Sequence, residues 1–492
     1  MNVTKKNNSI EKVPTFIEGF ESISKGGLPK NRLTLISGTP GSGKTIFSAQ
    51  FLASGIMENG ESGVFVTFEE SPEDIKTNMR NFGWMIERWE EENKWSFVDA
   101  SPKLEDQYII NGNYDLGGFI TRVKSKINNI NANRLVIDSL GFIIDKYPNK
   151  NIIRNELLRL KKELRKFGVT TILTAERYEQ NSRASRHSLE EFLSDNVIIL
   201  RNTSSKEQRR RTIEILKFRG SGHEKGAHSF TIRENKGIVV ISFLTSQRKL
   251  SLSTTRKTIG ITKLDEMMGG GVFGSSIILI SGETGIGKSI FSLMFLNGGL
   301  QNGEKVLMIS FEEKRERIIF RSQKFGFKLK EMEKASKLKL VCLYPEVKGI
   351  EEHIVDLRKI IDSFNPDRVV IDSISALERI ADKKIYQESI INFFLLLRNK
   401  NITGLFTSTS PTFMSKKDVI ERHISTLTDV IIIMRYVEHY GKIKRGLSIV
   451  KMRDSIHSKS IFEFEINDKG IEIKSPFKNI TGILEGKVHL NK

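Results

Sequence analysis

GTPGSGKT at residues 38–45 and GETGIGKS at residues 282–289 decide the fold. Both fit G-x-x-x-x-G-K-[ST], and each is led by an apolar run, at 33–36 and 277–280, and followed by an amphipathic stretch. Strand, glycine loop and helix, in that order, are the setting in which this pattern cradles phosphate. In the first copy Gly38, Thr39, Gly41, Ser42 and Gly43 let successive backbone N–H groups converge on phosphate oxygens, and Lys44 reaches toward the terminal phosphates. Gly282, Thr284, Gly285, Gly287 and Lys288 do the same in the second. Thr45 and Ser289 supply the hydroxyl that ligates Mg²⁺. A glycine-rich turn that binds nothing is the competing reading, and its recurrence in the same context weakens it.

Other landmarks repeat in step with the two loops. Phe68-Glu69-Glu70 returns as Phe311-Glu312-Glu313, Ile137-Asp138-Ser139 as Ile371-Asp372-Ser373, and Lys217 with Arg219 as Lys451 with Arg453. The order is kept and only loop lengths change, so the chain is a tandem duplication rather than an array of small repeats. Apolar, β-rich runs at 33–36, 64–68, 135–137, 170–174 and 196–200 alternate with helical stretches such as 155–167. In that helix Leu157, Leu160, Leu164 and Phe167 fall on one face. This alternation predicts an α/β fold, a mostly parallel sheet flanked by helices, with an added antiparallel hairpin. The expected domains are 1–245 and 246–480 with a short tail at 481–492, and 243–259, rich in Ser, Thr, Arg and Lys, reads as a linker.

Composition bounds the function. No apolar stretch approaches the roughly 20 residues of a membrane helix, and the amino terminus MNVTKKNNSI has no secretory h-region. One cysteine, Cys342, excludes an internal disulfide and fits a reducing cytoplasm. The net charge of +19 is compatible with nucleic acid or an anionic surface. The lysines are spread along the whole chain, however, which favours a plain solvated surface. The densest basic cluster, Arg209-Arg210-Arg211, is expected at a hairpin tip, with Lys442, Lys444 and Arg445 on the matching hairpin. Such hairpins suit DNA, solvent or a neighbouring subunit.

Phosphoryl transfer needs a phosphate cradle, a metal, a base and positive charge at the transition state. Asp138 and Asp372, closing apolar strands, suit the Mg²⁺-holding role. In each of the pairs Glu69-Glu70 and Glu312-Glu313 one carboxylate can take a proton from water or a hydroxyl while the other orients it, although strand-end carboxylates also occur as solvated caps. Lys217, Arg219, Lys451 and Arg453 lie far from the P-loops in sequence, which points to supply across a subunit boundary; ordinary surface pairing is the alternative.

Longer stretches carry a resemblance. FIEGFESISKGGLP at 16–29, GVFVTFEESPEDI at 63–75, SDNVIILR at 194–201, RRRTIEILKFRG at 209–220, GITKLDEMMGGG at 260–271, ITGLFTSTS at 402–410 and HISTLTD at 423–429 resemble the KaiC family of double-domain RecA-like ATPases, nearly end to end. The resemblance implies two tandem RecA-like P-loop NTPase domains that bind ATP between protomers of a homohexameric double ring. It implies ATP hydrolysis at the first tier, with Glu69 and Glu70 as the catalytic pair. Hydrolysis and autophosphorylation are implied at the second, with Glu312 and Glu313 at the equivalent positions. It places the phosphoacceptors on Ser425 and Thr426, and γ-phosphate contacts in trans on Lys451 and Arg453. From the residues alone, Ser425-Thr426 is a polar turn like many others. Two departures stand out: Ile420 replaces a family threonine before the acceptors, and Thr481-Gly482 opens a short tail in place of the family's Glu-Arg. The expectation is a cytoplasmic autokinase acting without KaiA, in a timing or stress-signalling role, with a KaiB-like partner on the first tier and no membrane. A RecA-like DNA-binding ATPase and a nucleotide-assembled scaffold are the alternatives.

Overall fold

A computed structural model describes residues 10–101, 116–139, 141, 150–177, 194–205, 208–241, 254–409, 426–439, 441–478, 480–481 and 489–490. The chain divides into two compact units, Met1–Leu244 and Thr245–Lys492. Each is built on its own nine-stranded sheet.

In the first unit the strands are β1 (Leu33–Gly38), β2 (Gly63–Thr67), β3 (Trp95–Asp99), β4 (Arg134–Asp138), β5 (Thr170–Glu176), β6 (Asn196–Ser205), β7 (Gln208–Phe218), β8 (Ala227–Arg233) and β9 (Gly237–Val240). Their order across the sheet is β9-β8-β7-β6-β1-β5-β4-β2-β3. From β3 to β6 every neighbouring pair is parallel; β6, β7, β8 and β9 pair antiparallel. The parallel strands are apolar on both faces because helices cover both. Ile36, Phe65 and Val136 pack on one side with Phe47 and Phe51 of helix α1 (Lys44–Asn59). Leu35, Val66, Leu135 and Ile137 pack on the other with Phe119 of α2 (Leu116–Asn129) and with Leu157, Leu160 and Leu164 of α3 (Lys150–Lys166).

The second unit repeats the plan with β10 (Ile277–Gly282), β11 (Val306–Ser310), β12 (Leu338–Cys342), β13 (Arg368–Asp372), β14 (Thr403–Ser408), β15 (Val430–His439), β16 (Lys442–Met452), β17 (Phe462–Asn467) and β18 (Gly470–Pro476). Their order is β12-β11-β13-β14-β10-β15-β16-β17-β18. Helix α4 (Lys288–Gln301) follows the second P-loop.

Three expectations change. The antiparallel addition is larger than one hairpin: β8 and β9, like β17 and β18, extend the sheet further. Arg209, Arg210 and Arg211 lie in β7 itself, beginning one residue after the Ser205–Gln208 pair that closes the hairpin, opposite Ser204, Thr203 and Asn202, whereas Lys442, Lys444 and Arg445 lie on the matching β15–β16 hairpin as expected. The ladder runs on through polar residues because backbone pairing, not side-chain polarity, sustains an antiparallel edge. Within the span read as linker, Arg256–Lys257 pairs antiparallel with Val272–Phe273. No helix among the described residues is long and apolar enough to cross a membrane.

Candidate nucleotide sites

In a parallel sheet the carboxyl ends of all strands share one edge, and the loops leaving them converge there. The P-loop leaves β1 at Gly38, the Glu69-Glu70 turn leaves β2 and Asp138 closes β4. The glutamates are thus in the turn after the strand, not its last residues. Tertiary pairing therefore assembles one site from stretches a hundred residues apart in sequence.

The cradle fits a polyphosphate. Gly41 and Gly43 have φ of 69° and 96°, Gly285 and Gly287 of 81° and 123°, a backbone region that favours glycine. Helices α1 and α4 start at Lys44 and Lys288 with no side-chain cap, leaving their first N–H groups for an anion. Lys44 Nζ donates to the carbonyls of Gly38 (3.0 Å) and Thr39 (3.3 Å), and Lys288 Nζ to those of Gly282 (2.7 Å) and Glu283 (2.9 Å). Each lysine is thereby folded over its loop. The hydroxyls of Thr39 and Ser42 are buried with no hydrogen-bond partner among the described residues.

The metal-binding candidates also meet. Thr45 hydrogen-bonds Asp138, and Ser289 hydrogen-bonds Asp372. Burial raises both aspartates, against hydrogen bonds from Thr174 and Thr407 respectively, so each carboxylate is costly to keep charged without a counter-ion. Among the described residues no group of three His, Cys, Asp or Glu could hold a metal. The hydroxyl and carboxylate pairs Thr45–Asp138 and Ser289–Asp372 are the kind of donor set Mg²⁺ takes from a protein, with the rest of its shell from phosphates and water. Lys288 is lowered by burial, with Asp372 opposing the shift.

Both glutamate pairs are held. Ser139 Oγ donates to Glu69 Oε1 at 2.7 Å, and Ser373 Oγ to Glu312 Oε1 at 2.6 Å. These serines follow the aspartates across a cis peptide in both units. Glu70 is raised by burial, partly offset by a hydrogen bond from Asn78, while Glu313 is ion-paired to Arg321 at 2.6 Å. The serines and threonines that position the carboxylates escaped sequence reasoning, although Ser139 and Ser373 stood inside a repeated landmark; Asn78 and Arg321 gave no signal at all.

One group is not brought to its own P-loop. Register places Asn196 of β6 opposite Thr34 and Phe218 of β7, whereas Gly38 lies opposite Leu200. Lys217 and Arg219 therefore sit toward the far end of the strands from the cradle, three to five residues back along β1, or roughly 10 to 17 Å. The second unit is the same: Ile278 pairs with Val430 and Gly282 with Met434, and Val430 faces Met452. At that far end Lys217 Nζ donates to Ser194 O and Lys451 Nζ to Thr428 O, while Arg219 and Arg453 lie beside Asp195 and Asp429. Arg453 also bonds the Thr426 carbonyl, and Arg398 the Leu427 carbonyl. Ser425 lies outside the described residues; Thr426 is exposed at their margin. Burial lowers Lys451, with Arg453 acting in the same direction.

Fold and site define a tandem RecA-like P-loop ATPase. The family model "ATPase: KaiC" matches residues 13–244 and again 257–478. "Circadian clock protein KaiC3" of Synechocystis sp. is 48% identical over 484 residues, covering 98% of this chain and 96% of that one. "Circadian clock oscillator protein KaiC" of Synechococcus elongatus is 43% identical over 485 residues, 99% and 93% of the two chains. The same-named protein of Prochlorococcus marinus is 41% identical over 480 residues, 98% and 96%. The chain belongs to the KaiC ATPase family.

Proposed function

We propose that this ATPase is a Mg²⁺-dependent Ser/Thr autokinase and autophosphatase that works as a nucleotide-assembled homohexameric double ring, with transfer between protomers. The observation that carries this reading is the separation within each sheet. Cradle and glutamates stand at one end; Thr426 with Lys451 and Arg453 stands at the other. A γ-phosphate on one chain reaches these groups only if a second copy presents its far end to the first copy's P-loop.

In that arrangement Gly282, Thr284, Gly285, Gly287 and Lys288 would hold the phosphates, and Ser289 with Asp372 would hold Mg²⁺, which would supply positive charge against the phosphates. Glu312 takes the proton of the attacking hydroxyl, and Ser373 keeps its carboxylate in place. Lys451 and Arg453 of the adjacent copy add positive charge at the γ-phosphate. The first unit supports hydrolysis by water, with Glu69 and Glu70 as its carboxylates, Thr45 and Asp138 at the metal, and Lys217 and Arg219 in the trans position. Given the names of its relatives, the protein serves a circadian or other timing system in the cytoplasm, with a KaiB-like partner on the first unit and without dependence on KaiA.

Intact-mass measurement after incubation with Mg-ATP and no other protein tests the kinase. Species heavier by about 80 Da, one phosphoryl group, are expected for the wild type and not for Ser425→Ala/Thr426→Ala or Glu312→Gln. Hydrolysis without any mass gain would remove the kinase half of the reading.

A further inference from the structure

The two sites share many contacts, and this makes a charged difference beside the second glutamate of each pair informative. Ser139 holds Glu69 as Ser373 holds Glu312, and a threonine holds each aspartate. The second glutamate of each pair is treated differently. In the first unit, Asn78 near the end of helix Pro72–Met79 donates an amide N–H to Glu70 Oε2 at 3.2 Å. At the equivalent place in the second unit, in helix Arg315–Lys324, stands Arg321, whose guanidinium donates to Glu313 Oε1 at 2.6 Å. Both members of that pair are mostly buried, with side-chain exposures of 25% and 17%. Glu313 is further fixed by its own N–H, which donates to Ser310 Oγ at 3.0 Å.

An amide orients a carboxylate and leaves its charge in place. A guanidinium forms a shorter, charge-assisted bond that occupies the carboxylate oxygen. Glu70 is raised first by burial, and the nearby carboxylates of Asp138, Asp74 and Glu69 act in the same direction.

We propose that Arg321 is a positioning residue that withdraws Glu313 from the chemistry of the second site, leaving Glu312 as the sole proton acceptor there, whereas Glu69 and Glu70 share the task in the first. The inference rests on the reading of the glutamate pairs as catalytic. The step itself is unchanged. The attacking oxygen forms its bond to the γ-phosphorus as the bond from phosphorus to the β,γ-bridging oxygen breaks, that electron pair leaving with ADP, and the proton of the attacking hydroxyl passes to the free glutamate. With one acceptor instead of two, a mobile water is activated less often, and ATP persists longer at the second site than at the first.

The test uses the full chain with one site silenced at a time. In a Glu69→Gln/Glu70→Gln background, Arg321→Asn is expected to raise the kcat for phosphate release roughly threefold to tenfold with KM unchanged. Arg321→Lys, which keeps the charge, is expected to stay at the background rate. In a Glu312→Gln/Glu313→Gln background, the reciprocal Asn78→Arg is expected to lower kcat by a similar factor at constant KM. An unchanged or reduced kcat in Arg321→Asn overturns the proposal, as does a Lys variant that behaves like the Asn variant. A chain carrying all four Gln substitutions that still hydrolyses ATP at the wild-type rate sinks the underlying catalytic reading instead, which separates the two failures.

Discussion

The side chains that shape each unit most are charged and buried. Arg134 and Arg368 stand at equivalent positions, completely shielded from solvent. Each pairs with a glutamate, Glu61 or Glu304, and donates to carbonyls of the P-loop helix and the amino-terminal segment: Phe51 and Pro14 in one unit, Phe295 and Thr258 in the other. Removing the guanidinium leaves those acceptors buried and unsatisfied, so Arg134→Leu and Arg368→Leu are each expected to cost about 3 to 5 kcal/mol in urea unfolding. Asp195 is the complementary case. Burial works to raise its carboxyl, but the hydrogen bond from Arg165 and the charges of Lys161 and Arg165 outweigh this and hold it below the ordinary carboxylate value. A depressed folded value stabilises above the unfolded value, about 4, and that contribution is lost as pH falls through the folded value. Asp195→Asn is therefore expected to be less stable than the wild type at neutral pH, by about 3 kcal/mol, with the gap closing below about pH 4 in melting curves taken across the acid range.

Among the elements, the joint between β1 and α1, or β10 and α4, carries the most constraint. At Gly43 a Cβ would sit 3.3 Å from Ile232 Cδ1, and at Gly287 one would sit 3.0 Å from Ile466 Cδ1, each on a positive-φ backbone. Alanine at either position brings strain of about 1 to 2 kcal/mol to the loop, and the affinity for ATP at that site is expected to fall about tenfold in a titration of the full chain. A second constraint ties the helices to the buried arginines: a Cβ at Gly55 would lie 2.4 Å from Arg134 Nε, and one at Gly299 2.7 Å from the Arg368 side chain. Gly55→Ala is accordingly expected to destabilise by about 1 to 3 kcal/mol, although alanine is the better helix former in isolation. The reversal of that ordinary preference in a thermal melt is the diagnostic result.

At the scale of the whole molecule, the claim open to test is transfer between copies. A chain with Glu312→Gln keeps its acceptors, and a chain with Ser425→Ala/Thr426→Ala keeps its donor site. Neither is expected to gain phosphate by itself. Mixed with Mg-ATP and allowed to assemble, they are expected to give a mass increase on the Glu312→Gln chain alone. No mass gain on either chain of the mixture would mean transfer within one chain, against the separation of Thr426 from its own P-loop. Nucleotide is also expected to shift the sedimentation of the wild type to a hexamer.

The residues proposed to hold phosphate and metal were legible without coordinates, because P-loop chemistry is local: GTPGSGKT turns a strand into a helix with its N–H groups exposed, and small residues at those spacings permit it. The duplication and the alternation of strand and helix were legible for the same reason, since they follow from periodic patterns in short windows. Tertiary structure alone decided the rest. The parallel sheet brought Ser139 to Glu69 and Thr174 to Asp138, put Lys217 and Lys451 at the end away from their own cradles, carried Arg209–211 into a strand, and set Arg321 against Glu313 where its counterpart is Asn78. Strand order and register create these contacts between segments distant in sequence, and no short window of residues contains the information that sets them.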